Sequence, residues 1–510
     1  MTISSSHDPS PGKYPNGPEW AIAFKDYRFV GLTPVWSVLE MPLLLPRIVI
    51  AALRGGSGKT VVSLGLITAW REMGYNIAPF KKGPDFIDAG WLSLAAGRPC
   101  HNLDPFLMNQ GQILGSFHSN AEGADLSIIE GNRGLYDGMD IVGSCSTAEL
   151  AKLLGAPVLL VLDVTMATRT VAAVVKGCQA FDPEINIEGV ILNKVAGSRQ
   201  ETLIRNAVER YCEIHVVGSL PKMRDNPFPE RHMGLVPYQE SKHEEKAISW
   251  ARRAAKEYID LDQIWGIGQG AGNMEKRPGG KRAPSVVRTS DEPPRIGFIR
   301  DRAFWFYYPE NLEQLERMGA SLVEINSISQ RSLPDLDALY IGGGFPETQA
   351  KALADNSIFR DTLREEVNRG LPVYAECGGL MYLGEGIVVD EKHYPMVGAL
   401  PVQFKIKKRP QGHGYTVLEV DRPNPYYPVG KTLKGHEFHY SKAILTSEEG
   451  IHFVFKVKRG NGVNGERDGL CRKSVLATYT HVHAAGNYLW AKGLVQAAID
   501  YAKSKKNQKL

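Results

Sequence analysis

One string constrains this chain more than any other: Ala52-Leu53-Arg54-Gly55-Gly56-Ser57-Gly58-Lys59-Thr60. It lies between an apolar, β-branched run at 46–53 and a helical stretch reaching Met73, with Val61, Leu64 and Ile67 on one face. A glycine-rich turn leading from a strand into a helix points backbone N–H groups inward. It adds the partial positive charge of a helix N-terminus, and together these form a cradle for phosphate. In this reading Gly56, Ser57 and Gly58 supply the loop, Lys59 reaches the outer phosphates of ATP and Thr60 ligates Mg²⁺. The strict pattern G-x-x-x-x-G-K-[ST] is not met, because Leu53 occupies its first position. A merely structural turn, however, would not require Lys followed by Thr.

The flanking segments predict an α/β fold around that loop. Residues 124–130 (ADLSIIE), 157–164 (PVLLVLDV) and 189–195 (GVILNKV) are buried-strand candidates, separated by helical stretches such as 147–154 and 168–178. Continuous apolar strands alternating with helices indicate a parallel sheet covered on both faces. Residues 266–294 are rich in Gly, Pro and charge and lack apolar periodicity, so they read as a linker. The α/β rhythm restarts at 295–300, 321–325, 338–341 and 371–375, and short β segments with turns follow from Met396. The expected organisation is a disordered leader over 1–45, a P-loop parallel-sheet domain over 46–265, a linker over 266–294 and a second α/β domain over 295–503.

Composition narrows the function classes. The 510 residues suit two to four domains. Sixty basic against 56 acidic residues leave a net charge of only +4, with the two signs interspersed, so no nucleic-acid partner is expected. The basic cluster Lys503, Lys505, Lys506 and Lys509 reads as a solvated, frayed tail. Six cysteines with no C-x-x-C argue against structural zinc and for free thiols in a reducing cytoplasm. No apolar run is long enough to span a membrane. The first 20 residues are polar and Pro/Gly-rich, without the features of a secretory signal, and Met41 stands directly before the first clear strand as an alternative start.

Several further residues are candidates for chemistry. In Phe80-Lys81-Lys82-Gly83-Pro84-Asp85-Phe86-Ile87-Asp88, two lysines and two carboxylates sit at a strand end, a combination suited to metal and anionic phosphate. Glu130 ends an apolar strand, which is where a second metal ligand belongs, because ligands bind at the carboxyl ends of parallel strands. Asp137 follows in a glycine turn. Farther on, a strand runs into Ala375-Glu376-Cys377-Gly378-Gly379, the pattern of a nucleophile elbow. A helix start lowers a thiol pKa, and N–H groups at Gly378 can hold an oxyanion. Gly343 and Gly344, in a Gly-Gly-Gly turn after another strand, are candidates to complete that hole. For the base, Thr480-His481-Val482-His483 places two histidines on one face of a strand candidate. His436 and His439 are rivals.

Taken together, the strings GGSGKT, KKGPDFIDAGW, GRPCHNLDPFLM, IEGNRGLYDG, FYYPENLEQLE, GGGFPE, YAECGGLMYL, GHEFHYS and THVH resemble the cobyrinate a,c-diamide synthase family from about Pro46 to Tyr501. That family joins a dethiobiotin-synthetase-like P-loop domain to a class I glutamine amidotransferase-like domain. The resemblance implies ATP- and Mg²⁺-dependent amidation of the a and c acetates of cobyrinate, with L-glutamine as nitrogen donor. The reaction would run through an acyl phosphate and through ammonia released at the Cys377 thiol, carried along a sheltered path between the domains. By position, Cys377 resembles the nucleophile and His481 its base. Gly56, Ser57, Gly58, Lys59, Thr60 and Lys81 fall on ATP-binding positions, Thr60, Asp85 and Glu130 on metal positions, and Asp88 and Asp137 on positions of substrate activation. The partners implied are glutamine and a cobyrinate-type tetrapyrrole, with no membrane, and a homodimer is compatible.

The chain departs from the family pattern at Leu53-Arg54 in the loop and at Asn132-Arg133, and Arg133 is a candidate contact for a substrate carboxylate. A third departure is His483, two residues after the base, where ordinary class I enzymes carry a Glu that completes a triad; the orienting group is left open. Other readings are the same diamidation on Ni-sirohydrochlorin or hydrogenobyrinate, and a P-loop switch ATPase. A switch would have no use for Cys377 and His481. Cobyric acid synthase is disfavoured by Val482, where that enzyme typically carries Gly.

Overall fold

The computed structural model describes residues 43–223, 227–228, 230–231, 234–240, 243–274 and 292–509. In the first half, seven strands form one parallel sheet: β1 (Arg47–Ala52), β2 (Ile77–Lys82), β3 (His101–Leu103), β4 (Leu126–Glu130), β5 (Val158–Asp163), β6 (Ile187–Val195) and β7 (His215–Pro221). Their spatial order is β3-β2-β4-β1-β5-β6-β7. The central strand β1 pairs with β4 and β5, so the loop after Ala52 emerges beside the end of β4 at Glu130. Every residue of β1 is buried because helices cover both faces. Ile48 and Ile50 pack in the cluster that holds Leu64 and Ile67 of α1 (Lys59–Glu72), while Val49 and Ala51 pack on the other side with Ile113 and Leu150. Strand alternation thus explains why an unbroken apolar run was needed here.

The segment expected as a linker from Gly266 is a correction. Helix Leu261–Gln269 extends into its first four residues, and Asn273–Met274 pairs with Leu43–Leu44. Gly268 carries no side chain because a Cβ there would come within 2.5 Å of Leu126 Cδ1. The Arg47 guanidinium also ties down this stretch by donating to the carbonyls of Ala271 and Gly272. A short helix that touches the sheet through glycine leaves almost no apolar period to read. The remainder of the expected linker, 275–291, and the leader up to residue 42 lie outside the described residues.

In the second half β8 (Arg295–Ile299), β9 (Ser321–Ile325), β10 (Ala338–Ile341), β11 (Val373–Glu376), β12 (Gly412–Val420), β13 (Thr432–His439), β14 (His452–Arg459), β15 (Arg467–Arg472), β16 (Val475–Thr478) and β17 (His481–Val482) share one sheet. Its order is β9-β8-β10-β11-β16-β15-β14-β12-β13-β17. The first five strands are parallel and the rest antiparallel. A separate four-stranded sheet includes Gly386–Val389 and Val402–Ile406. The turns after β10 and β11 carry the Gly-Gly-Gly and Cys377 motifs at the carboxyl ends of parallel strands. The basic tail is a correction in part: Lys503 and Lys506 are exposed as expected, but the segment is helical rather than frayed. Helix Tyr488–Lys509 runs through it, and Lys505 reaches Asp335 and Asp337 at 2.9 Å each, with a further bond to the Leu336 carbonyl. Trp490, Leu494 and Ala498 bury one face of that helix against the sheet, so it does not fray from its own first turns.

Candidate active site

The P-loop is built as its residue types demand. Gly56 (φ 72°) and Gly58 (φ 99°) take left-handed conformations that glycine alone adopts cheaply. A Cβ on Gly58 would meet Asn193 Nδ2 at 2.3 Å, and that amide donates to the Ser57 carbonyl. Lys59 donates to the carbonyls of Arg133 (2.9 Å) and Arg54 (3.3 Å), so its ammonium lies across the mouth of the loop. Burial, and then the charge of Lys81, hold Lys59 below its ordinary pKa.

Behind the loop lies a buried charge cluster. Lys81 Nζ sits 2.6 Å from Asp88 Oδ2 and 2.6 Å from Glu130 Oε1, with only 1% of its side chain exposed. Burial opposes its charge, but the carboxylates of Asp88 and Glu130 outweigh that and raise its pKa. Thr60 Oγ1 donates to the same Glu130 oxygen at 3.0 Å. Asp85 Oδ1 accepts the Asp88 N–H; burial and then the Asp88 charge push its carboxyl up to about 7, while Lys81 draws Asp88 down against burial. Thr60, Lys81, Asp85, Asp88 and Glu130 are therefore brought together. Asp137 stands outside that hydrogen-bonded set, accepting the Gly134 N–H at 2.9 Å and lining a neighbouring cavity, although its charge reaches Lys59.

Among the described residues, no group of three His, Cys, Asp or Glu side chains forms a metal cage. Such a cage is not what Mg²⁺ requires beside nucleotide, since it is typically held by one or two carboxylates, phosphates and water. The buried Oε2 of Glu130 has no hydrogen-bond partner, and with the Thr60 hydroxyl it fits that role. A cleft of about 660 Å³ faces these groups, walled on the far side by Asn193, Lys194 and Lys222.

The thiol lies on the second sheet. Cys377 has φ 46° and ψ −96°, a strained backbone in which the chain turns sharply out of β11 into helix Gly378–Leu383. The turn is held by the Cys377 N–H donating to Thr478 O at 2.7 Å. No side chain fits around it. A Cβ on Gly378 would lie 3.0 Å from Gly344 N, one on Gly344 would lie 2.0 Å from Ala303 O, and one on Gly343 would lie 2.3 Å from His481 Cε1. The glycine turn therefore lies against both His481 and the elbow, and the Cys377 thiol itself donates to Phe438 O at 3.6 Å. Burial, then Glu347, pushes the Cys377 thiol well up, so the resting group is a thiol. Of the rival histidines, His439 binds Ser441 O through Nδ1 and stacks on Tyr479, while His436 stacks on His481 at 4.9 Å. His483 lies beyond the short strand β17, 3.6 Å from Glu310.

One residue of the first half joins the two sites. Phe86, next to Asp85, stacks on Phe306 (4.8 Å) and packs against Tyr308, His436 and His481. Beside it lies a cavity of about 510 Å³ between the halves, lined by Lys82, Arg133, Arg459, His436 and His481 among others. Asp85, Ile87, Asn132 and Arg133 are walls of both this cavity and the nucleotide cleft. Tyr415 donating to Asp104 and His101 on Glu313, each at 2.9 Å, fasten the halves together.

Residues 48–236 match the CobQ/CobB/MinD/ParA nucleotide binding domain, and residues 295–488 match the CobB/CobQ-like glutamine amidotransferase domain. A cobyrinate a,c-diamide synthase of Magnetococcus marinus is 42% identical over 460 residues, covering 89% of this chain and 98% of its own. Proteins of the same name from Archaeoglobus fulgidus and Methanosarcina acetivorans are 40% and 37% identical, with 90% of this chain and 99% and 97% of theirs covered. The chain belongs to the cobyrinate a,c-diamide synthase family. Like its relatives, it couples a nucleotide-binding domain to a glutamine amidotransferase domain, and it is a glutamine-dependent ligase by family. Among the described residues no helix is long and apolar enough to cross a membrane.

Sequence reasoning missed several residues that the fold brings beside these motifs. Phe86 was visible only as the apolar residue between two aspartates. Asn193 ends an apolar strand with nothing to connect it to a loop 136 residues earlier. Glu376, whose carboxylate lies 3.4 Å from His481 Nδ1, was read only as the residue before the cysteine. Asn311 clamps the His481 segment by donating to Val482 O and accepting from Ala484 N, and its one signal was a buried amide in the FYYPENLEQLE string.

Proposed function

We propose that this protein converts cobyrinate to cobyrinate a,c-diamide with ATP and glutamine. The observation that carries the reading is the shared wall of two adjoining cavities: Lys59, Lys81 and Asp88 line one, His481 lines the other, and Asp85, Ile87, Asn132 and Arg133 line both. A carboxylate resists displacement of its oxygen, so the acetate oxygen first attacks the γ-phosphorus of ATP, with ADP leaving and an acyl phosphate formed. Lys59 and Lys81 offset the charge of the phosphates, and Mg²⁺, when bound near Thr60 and Glu130, supplies further charge neutralisation. Lys82, Arg133 and Arg459 line the cavity beside Asp85, Asp137 and Glu437, and these three cations are the groups that would meet the carboxylates of the ring.

On the other side, the Cys377 sulfur attacks the glutamine carboxamide carbon. The thiol proton passes to His481 and from there to the leaving ammonia. Gly343, Gly344 and Gly378 frame the oxyanion. Water then cleaves the thioester to glutamate. The cavity lets ammonia reach the acyl phosphate unprotonated, where it displaces phosphate and forms the amide.

Mass spectrometry of cobyrinate incubated with MgATP and glutamine tests this. Two successive acid-to-amide shifts are expected, lost in Cys377→Ala with glutamine and restored by ammonium. No amidation of cobyrinate, or preferential amidation of Ni-sirohydrochlorin or hydrogenobyrinate in parallel assays, overturns the substrate. No glutamine hydrolysis by the wild type, with nothing changed in Cys377→Ala, overturns the amidotransferase reading and leaves a nucleotide switch.

A further inference from the structure

We infer that Glu376 is the positioning residue for His481, completing an acid–base–nucleophile relay in which the acid directly precedes the nucleophile. This rests on the reading that Cys377 is the glutaminase nucleophile. The His481 ring turns its Nε2 and Cε1 edge to Gly343 beside the cysteine elbow, where a Cβ would lie 3.1 and 2.3 Å away. A base that accepts the thiol proton at Nε2 must carry its own proton on Nδ1, and an acceptor at Nδ1 selects that tautomer.

Glu376 Oε2 is that acceptor, 3.4 Å from Nδ1. The contact is long for a hydrogen bond, as catalytic hydrogen bonds often are without substrate. The carboxylate is 1% exposed and fixed from both sides. Tyr340 Oη donates to Oε2 at 3.0 Å, and the Val482 N–H donates to Oε1 at 3.1 Å. Asn311 Nδ2 lies 3.3 Å from the Tyr340 hydroxyl and also holds Val482 O, so the same clamp sets acid and base together. These donors are neutral, which leaves His481 as the cationic partner when it takes the thiol proton. The position two residues after the base does not serve: His483 accepts from the Ala485 N–H at Nδ1 and turns its other nitrogen to Glu310. The elbow makes the arrangement workable, because the positive φ of Cys377 swings the thiol out of the strand alternation that would set it opposite Glu376.

The test uses the full chain. In Glu376→Gln, kcat for glutamine hydrolysis falls about 10²-fold or more, KM for glutamine stays within about threefold, and ammonium-supported amidation is retained. Glu376→Asp is intermediate. An independent measurement needs no variant at this position: in ¹⁵N-histidine-labelled wild type, with His481 assigned by its loss in His481→Gln, the neutral ring carries its proton on Nδ1. Glutaminase at wild-type level in Glu376→Gln, or a proton on Nε2 in the wild type, overturns the assignment. Glutaminase that survives Cys377→Ala would instead sink the nucleophile reading, and the tautomer would still report on Glu376.

Discussion

At the scale of single residues, Lys81 shows how a buried charge is tolerated only as part of a set. Its ammonium is enclosed with Asp88 and Glu130: the two carboxylates raise Lys81 and Lys81 draws Asp88 down, whereas burial raises Glu130. Deleting one partner of a buried ion pair costs about 3–5 kcal/mol, because the remaining charges are left uncompensated. Lys81→Met is therefore expected to lower the thermal midpoint clearly and abolish ATP-dependent amidation, while leaving glutamine hydrolysis on the second sheet measurable. Calorimetry and the two assays check this. Cys377 makes a pH prediction. Because burial raises its thiol, the thiolate fraction at neutral pH is small and grows about tenfold per pH unit. Iodoacetamide should label Cys377 slowly without glutamine, at a rate that climbs through pH 9 without a plateau; mass spectrometry of the tryptic peptide reads it out. A plateau near pH 7 contradicts the raised pKa.

At the scale of elements, turns decide more than helices and strands. The glycine turn after β10 admits no side chain, and Gly344→Ala forces a Cβ to 2.0 Å from Ala303 O. Glutamine-supported amidation should fall by about 10²-fold or more in that variant, the scale of losing one oxyanion donor, with ammonium-supported amidation kept. The turn after β2 is the other case, because it places Phe86 against His481 while Asp85 and Asp88 stay with the phosphate-binding groups. Phe86→Ala should uncouple the halves: glutamine hydrolysis continues, and more ammonia escapes per amide formed. Comparing glutamate and amide yields in one reaction measures this. An unchanged ratio would mean that Phe86 only fills space.

For the whole molecule, the junction between the halves carries a pH dependence. Burial, and then the neighbouring His481 and His483, lower His436 well below 6.5. The folded chain thus takes up this proton less readily than the unfolded chain, and stability falls as pH drops through 6.5 and below. One such group contributes a slope of up to about 1.4 kcal/mol per pH unit. Thermal midpoints should drop between pH 6.5 and 5, and His436→Gln should flatten part of that drop.

How much was legible in the sequence follows the range over which each feature is encoded. The phosphate loop, the central strands, the cysteine elbow and the glycine turn are local: a few consecutive residues set backbone conformation, and their side chains have no other economical use. The helix at 261–269 and the seating of Lys505 were hidden because one glycine contact and one lysine carry no period. Glu376, Phe86, Asn193 and Asn311 gain their roles from partners far away in the chain, and no spacing rule connects them. Sequence alone therefore determined which chemical groups exist and which turns present them, since φ/ψ preference and strand alternation act over a few residues. Only the tertiary structure decided which acid meets which base and that two adjoining cavities share a wall, because those pairings depend on how two sheets stack, and burial energy is indifferent to order along the chain.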